Sequence, residues 1–198
     1  MEIAMPAAFT EGERERITER LLDTATRLFA TQGLRKTSLE ELTAPAGIAK
    51  TSLYAFFPSK EDLYFEAALR QNEQVRRRLI DEALLGGGDP RDALRRFLRA
   101  TVAELNANPL YRRLMAHPEE MAAVAARLTP ERMAVAAGGP MGGLLDFLRD
   151  HLDGDPEVLL GVLRAVLLTP LHADHLDKEL YPAVMDRLID AVTEGLTS

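Results

Sequence analysis

Cysteine is absent from the 198 residues, which excludes disulfide staples, thiolate catalysis and cysteine-ligated zinc. Tryptophan is absent as well, and aromatics make up only 6% of the chain. Few aromatics beside abundant leucine and alanine favour helix over strand. Long hydrophobic runs are lacking: a charge or a helix breaker interrupts each stretch before it reaches the roughly 18 apolar residues of a membrane span. Residues 1–12 contain Glu2 and Glu11 and no basic residue, a pattern unlike a secretory leader. The expectation is a cytoplasmic protein with no membrane partner and a frayed tail over residues 1–10.

An excess of positive charge is also missing. The net charge of −7 argues at first sight against nucleic acid, but its distribution matters more than its sum. Residues 1–60 carry 8 basic and 8 acidic residues, so the whole negative excess lies in residues 61–198. Within the first part the acids cluster before Asp23, whereas Arg27, Arg35, Lys36, Lys50 and Lys60 are opposed only by Asp23, Glu40 and Glu41. A local cationic surface fits there. A hydrophobic share of 46% against 28% charged residues is that of a globular chain with a sizeable core.

What is present is helical punctuation. Ile17, Leu21, Leu22, Ala25, Leu28 and Phe29 recur at three- and four-residue spacing and predict one amphipathic helix, ended by Gly33. Ser38 with Glu41 reads as a capping box for a short helix that turns Leu39 and Leu42 inward and stops near Ala44-Pro45. Ala46-Gly47-Ile48 supplies a tight turn, and a second short helix is expected over about 49–56. Pro58-Ser59-Lys60-Glu61-Asp62 opens a long helix to about residue 85, where Gly86-Gly87-Gly88 marks a seam. Beyond it, Asp89-Pro90, Thr129-Pro130 and Asp155-Pro156 each place a capping side chain before a first-turn proline. Asn108-Pro109 and Pro118 interrupt the stretch between the first two of these, and Gly138-Gly139-Pro140 with Gly142-Gly143 divides another. The last helices are expected over about 156–171 and 180–196. The predicted fold is all-α.

The segment from Thr37 to Leu63, TSLEELTAPAGIAKTSLYAFFPSKEDL, carries the functional signal. Two short helices joined by a glycine-containing turn form a helix-turn-helix, whose second helix enters the DNA major groove. That helix would present Ala49, Lys50, Thr51, Ser52 and Tyr54 outward, with Leu53, Phe56 and Phe57 packed inward. A cation, two hydroxyls and a phenol suit phosphates and base edges. Nothing in the set suits catalysis.

The run Gly47-Ile48-Ala49-Lys50-Thr51-Ser52-Leu53-Tyr54, followed by Phe57-Pro58-Ser59-Lys60-Glu61-Asp62-Leu63, resembles the tetracycline-repressor (TetR/AcrR) family of bacterial regulators. The resemblance covers about residues 13–66. It implies a three-helix DNA-binding domain over 13–58, and a linker helix plus a helical ligand-binding and dimerisation domain over 59–198. It implies DNA contacts at Thr37 or Ser38, Lys50, Thr51, Ser52, Tyr54 and Lys60. Pro45 departs from the family, which usually has a small or charged helix former there, so helix two is expected to be short or kinked.

The resemblance also implies an effector cavity somewhere in residues 90–170. Tyr111, Met115, His117, Met133 and Phe147 are the candidate lining, and adaptable methionines suit an apolar or amphipathic small molecule. Apolar stripes on the last two helices, with Leu163, Leu167, Val184, Leu188 and Val192 as candidate contacts, suit a four-helix dimer interface. His172-Ala173-Asp174-His175 reads as a helix end, not a metal site, and no cofactor or catalytic set is expected. The expected function is therefore a ligand-responsive homodimer on double-stranded operator DNA. The alternative is a helical small-molecule-binding or partner-binding protein without specific DNA binding.

Overall fold

Thr10 starts the first helix with a reciprocal cap: its hydroxyl accepts from the Glu13 N–H at 3.3 Å, and its own N–H donates to Glu13 Oε2 at 2.9 Å. The computed structural model describes residues 9–129, 131–132 and 140–197, all of whose regular elements are helical. The chain divides into two compact units, Met1–Ala67 and Ala68–Ser198.

The first unit holds α1 (Glu11–Lys36), α2 (Leu39–Thr43), a 3-10 helix (Lys50–Ala55) and the start of α3 (Lys60–Arg76), inside which the division falls. Its core is formed by Leu21, Ala25, Phe29, Leu42, Leu53, Leu63 and Tyr64, all buried. The Phe29 and Tyr64 rings tilt against each other at 4.9 Å. Each of the leucines and Phe29 contributes roughly 1.5–3 kcal/mol by leaving water. Gly33 interrupts α1 with a φ of 76°, the left-handed break expected of it.

In the second unit, α3 passes into a π-helical segment (Arg77–Leu84), where a straight α-helix was expected to continue. Then follow α4 (Pro90–Ala107), α5 (Pro109–Ala116), α6 (Pro118–Ala125), α7 (Pro140–His151), α8 (Pro156–Leu168), a 3-10 turn (Pro170–His175) and α9 (Tyr181–Leu196). The prolines expected to interrupt, Pro109 and Pro118, are the first residues of helices, where a missing N–H costs nothing. Asp89 and Asp155 cap as expected, and Asn108 caps α5 as well. Pro130 and Gly138-Gly139 lie outside the described residues.

Leu94, Phe97, Leu98 and Leu105 of α4 lie at the centre of the core, with Leu79, Ile80 and Leu84 of the π-segment, Leu148 of α7, Leu163 of α8 and Ile189 of α9 in the same cluster. Alpha7 approaches the π-segment at glycine distance, since a Cβ at Gly143 would lie 2.8 Å from Ile80 Cγ2. Buried Glu104 is held by a two-pronged bond from Arg78, at 2.8 and 2.9 Å, and by Asn108 Nδ2 at 2.8 Å. A charged ladder joins α4 to α9: Arg91 to Glu194 at 3.2 Å, Arg95 to Asp190 at 2.8 Å and Arg99 to Asp186 at 3.2 Å. Both rows step by four residues, so arginines and acids line up on facing helices.

One expectation needs correction. Leu163 and Leu167 are buried inside their own chain, so they do not present an outward face. The outward residues of α8 are Val158, Gly161, Arg164, Ala165 and Leu168, because its heavily apolar sequence left the choice of face to packing. Tyr111, Met115 and Phe147 belong to the core cluster, and the Tyr111 hydroxyl is pushed up to about 12 by burial and by Glu104. His117 accompanies Glu119 at the start of α6, at 3.0 Å, and Met133 lies outside the described residues. A cleft of about 500 Å³ opens among Asp89, Arg91, His151, Leu159 and Leu196. Pro156–Ala173 is long and apolar enough to cross a membrane by length and composition, although Glu157, Arg164 and Pro170 interrupt it as expected. Its helix ends at Leu168, its backbone is non-helical at His172, and one face is buried in the core.

The ladder gives a test. Asp190 takes both Arg95 and, at 3.7 Å, Arg99, and is partly exposed. Asp190→Asn should lower stability in urea unfolding by about 1 kcal/mol, the upper range for exposed pairs. The loss should shrink in about 1 M salt, where charges are screened within about 3 Å. An unchanged midpoint at low salt would show that the ladder adds nothing.

Candidate nucleic-acid interface

The second short helix stands off the first unit because of the turn before it. Alpha2 runs only from Leu39 to Thr43 and continues as a single 3-10 turn, Ala44–Ala46, with Pro45 inside it, so the shortening expected from that proline is present. Gly47 then adopts a φ of 71° and ψ of 26° and its N–H donates to the Ala44 carbonyl at 3.1 Å. A side chain there would be strained by conformation although the space is open.

The following helix is 3-10 over Lys50–Ala55 where an α-helix was expected, with Ser52 N–H donating to Ala49 O and Phe56 N–H to Leu53 O, each at 2.9 Å. Its anchors are Leu53 and Phe57, both buried, with Phe56 half-buried. Lys50 and Thr51 are exposed, Ser52 is half-exposed and Tyr54 is 56% exposed. A cation, two hydroxyls and a phenol on this short helix thus reach solvent, fully or in part, and their chemistry suits phosphates and base edges.

The flanking residues sit differently. Thr37 is buried, and its hydroxyl donates to the Gly33 carbonyl at 2.7 Å, so its side chain closes the end of α1. Ser38 is exposed at the N-terminus of α2. Its hydroxyl donates to Glu41 Oε2 at 2.7 Å and accepts from the Glu41 N–H at 3.2 Å. Lys60 is half-buried and donates from Nζ to the Thr37 carbonyl at 2.9 Å, tying the start of α3 to the start of α2. Ser59 caps α3, accepting from Asp62 N–H at 3.0 Å. Glu41 also accepts from Gln32 at 3.2 Å. Among the described residues no group of side chains could hold a metal ion.

The model of the family described as bacterial regulatory proteins, tetR family, matches residues 21–67, the stretch from the middle of α1 into α3. The HTH-type transcriptional regulator RutR of Escherichia coli K12 is 30% identical over 174 residues, which span 86% of this chain and 74% of RutR. The chain belongs to the tetR family. The HTH-type transcriptional regulator YxaF of Bacillus subtilis is 36% identical over 89 residues, 44% of this chain and 46% of YxaF. The chain thus spans less than half the length of several curated relatives it matches. A TetR family transcription regulator from Marinobacter aquaeolei VT8 shares the fold, with a TM-score of 0.64 and 18% identity over 96% of this chain and 100% of that one. The 3-10 helix Lys50–Ala55 lies inside the stretch that the family model matches.

Of the family-derived residues, Lys50, Thr51 and Tyr54 are exposed and Ser52 half-exposed, Ser38 is exposed as the N-cap of α2, and Thr37 and Lys60 make internal hydrogen bonds. Two bracing contacts escaped sequence reading: the Lys60–Thr37 tie and the bond from Arg14 to the Ala55 carbonyl, 41 positions away. No local pattern signals either, because each joins segments that only folding brings together.

The Ser38 cap makes a pH prediction. Hydrogen bonds from the Ser38 N–H and hydroxyl, then from Gln32, hold the exposed Glu41 carboxyl below the usual glutamate range. A carboxyl lowered in the folded state supports the helix start fully above its ordinary value, and that support is lost as pH falls through the lowered one. The Glu41 side-chain resonance should titrate below that of a free glutamate, and Ser38→Ala should move it back upward. Identical titration in both proteins would exclude the cap.

Proposed function

We propose that this TetR-family protein is a repressor: a homodimer that occupies a near-palindromic operator and leaves it when a small apolar or amphipathic effector binds. The observation that carries the DNA half is the outward cluster Lys50, Thr51, Ser52 and Tyr54 on a helix anchored by Leu53 and Phe57. Lys50 and Thr51 head that helix and meet phosphate or base edges; Tyr54 reaches the groove wall with ring and hydroxyl. Ser38 meets a phosphate at the N-terminus of α2. The reading head spans residues 13–58, and residues 59–198 sense and dimerise.

Pairing is supported by apolar surface left uncovered on α8 and α9. Val158 and Leu180 are each 62% exposed, with Leu168 and Val184 also exposed, and Leu180, Ala183, Val184, Leu188 and Ala191 line one shallow groove. Val184, Leu188 and Val192 keep their proposed interface role, while Val158 and Leu168 replace Leu163 and Leu167 in it. Four helices pairing across a two-fold axis would cover this surface, and a stable interface buries about 1,600 Å² in all. A two-fold dimer reads half-sites about 34 Å apart, which calls for a near-palindrome. The effector acts only by favouring the dimer state that does not bind DNA. These roles are those of a cytoplasmic protein, and they require neither cofactor nor membrane.

Gel shifts on DNA flanking its own gene test the DNA reading. Wild-type protein should retain one fragment specifically, and retention should weaken steeply as salt rises. Lys50→Ala and Tyr54→Ala should each cost about tenfold or more, a loss of roughly 1–3 kcal/mol per good contact. Retention indifferent to both changes and to sequence would end this reading. Light scattering should give twice the 21.9 kDa chain mass, and Val184→Asp with Leu168→Asp should halve it. A monomeric wild type would sink the dimer.

A further inference from the structure

The first turn of α1 closes over the far end of the recognition helix. Arg14 Nη2 donates to the Ala55 carbonyl at 2.8 Å, and the guanidinium carbon lies 5.0 Å from the centroid of the Phe56 ring. The Phe9 ring meets that same ring at 5.3 Å, tilted by 50°. The capping box of Thr10 with Glu13 holds the turn from which Arg14 reaches out. Ala55 and Tyr54, on the helix so clasped, are both exposed.

The physical need for such a clasp is specific to this helix. Carbonyls at a helix end have no intrahelical donor and carry the negative end of its dipole. A 3-10 run longer than about four residues is uncommon because its hydrogen bonds are poorly aligned. Here the run covers Lys50–Ala55, so an outside donor at its last carbonyl and a cation on its terminal ring stabilise the turn where it is weakest. Arginine fits both tasks at once, because its planar fork can donate and stack; an ammonium lacks the plane. Arg14 and Phe9 precede residue 21, where the match to the tetR family model begins, whereas Ala55 and Phe56, which they hold, lie inside it.

We propose that Arg14 is a positioning residue for operator reading: it sets the last turn of the recognition helix and, through it, the direction of Tyr54. The proposal rests on the DNA-reading function given above. Its test uses the full chain and duplexes enriched by the wild type from a randomised pool, with a scrambled duplex for comparison. Arg14→Met, Arg14→Lys and Lys50→Ala are compared for affinity, salt dependence and melting temperature. Arg14→Met should lose about tenfold on the enriched duplex, the size expected of a charge-assisted bond with a stacked cation. Its affinity for the scrambled duplex, its salt slope and its melting temperature should stay at wild-type values, and lysine should not restore the loss. Should the methionine variant melt early, Arg14→Gln, which keeps a donor for Ala55 but not the stacked cation, should show the same selective loss at smaller size.

Wild-type affinity in Arg14→Met while Lys50→Ala fails would overturn the proposal. So would a salt slope reduced by about one, which would make Arg14 a phosphate ligand, and so would full rescue by lysine. A pool with no enriched sequence would instead refute the DNA-reading function itself.

Discussion

The backbone turns left-handed at Gly47, and the outward set Lys50, Thr51, Ser52 and Tyr54 depends on that turn. Before it, Leu42 and Ala46 are buried; after it, Leu53 and Phe57 are buried. Two inward anchors on either side of one sharp reversal leave the intervening polar side chains only the solvent side. A right-handed residue at that position would carry the chain onward and turn the polar groups elsewhere. Around the turn, the bonds from Lys60 to the Thr37 carbonyl and from Arg14 to the Ala55 carbonyl close the motif at its two ends. Long cationic side chains here hold backbone carbonyls.

The second unit is organised differently. Its core is broad and aliphatic, and its polar order lies at the edge of α4, in the arginine ladder to α9 and in the group around Glu104. The ladder sets the lengthwise register of α9 against α4, which hydrophobic contact alone specifies poorly. That register also decides which residues of α9 remain outside. Met185 and Ile189 point in, and Leu180, Val184 and Arg187 are left out. The π-helical segment and the glycine contact of α7 with Ile80 show the same unit accommodating close packing by local backbone change.

Much of this was legible in the residues themselves. Several helix starts followed from capping chemistry, since Ser38, Asp89 and Asp155 satisfy donors within three positions of themselves, whereas Thr10 caps α1 where a frayed tail was expected and Asn108 caps α5 where an interruption was expected. Gly33 and Gly47 announced left-handed backbone, and the inward role of Leu53 and Phe57 followed from their spacing. The all-α class and the helix-turn-helix came from such local rules, because the forces behind them act within one turn of chain.

Tertiary structure alone decided the rest. The inward choice of Leu163 and Leu167 over Val158 and Leu168 depended on which side of an apolar helix met α4 and α7. Folding set the Gly33 carbonyl beside the Thr37 hydroxyl and the Thr37 carbonyl beside the Lys60 ammonium, partners that no local pattern names. The 3-10 winding of the recognition helix and the clasp by Arg14 belong to the same class. A side chain's local pattern states what it can bond with, whereas the partner it finds depends on which distant segment the core brings within about 3 Å.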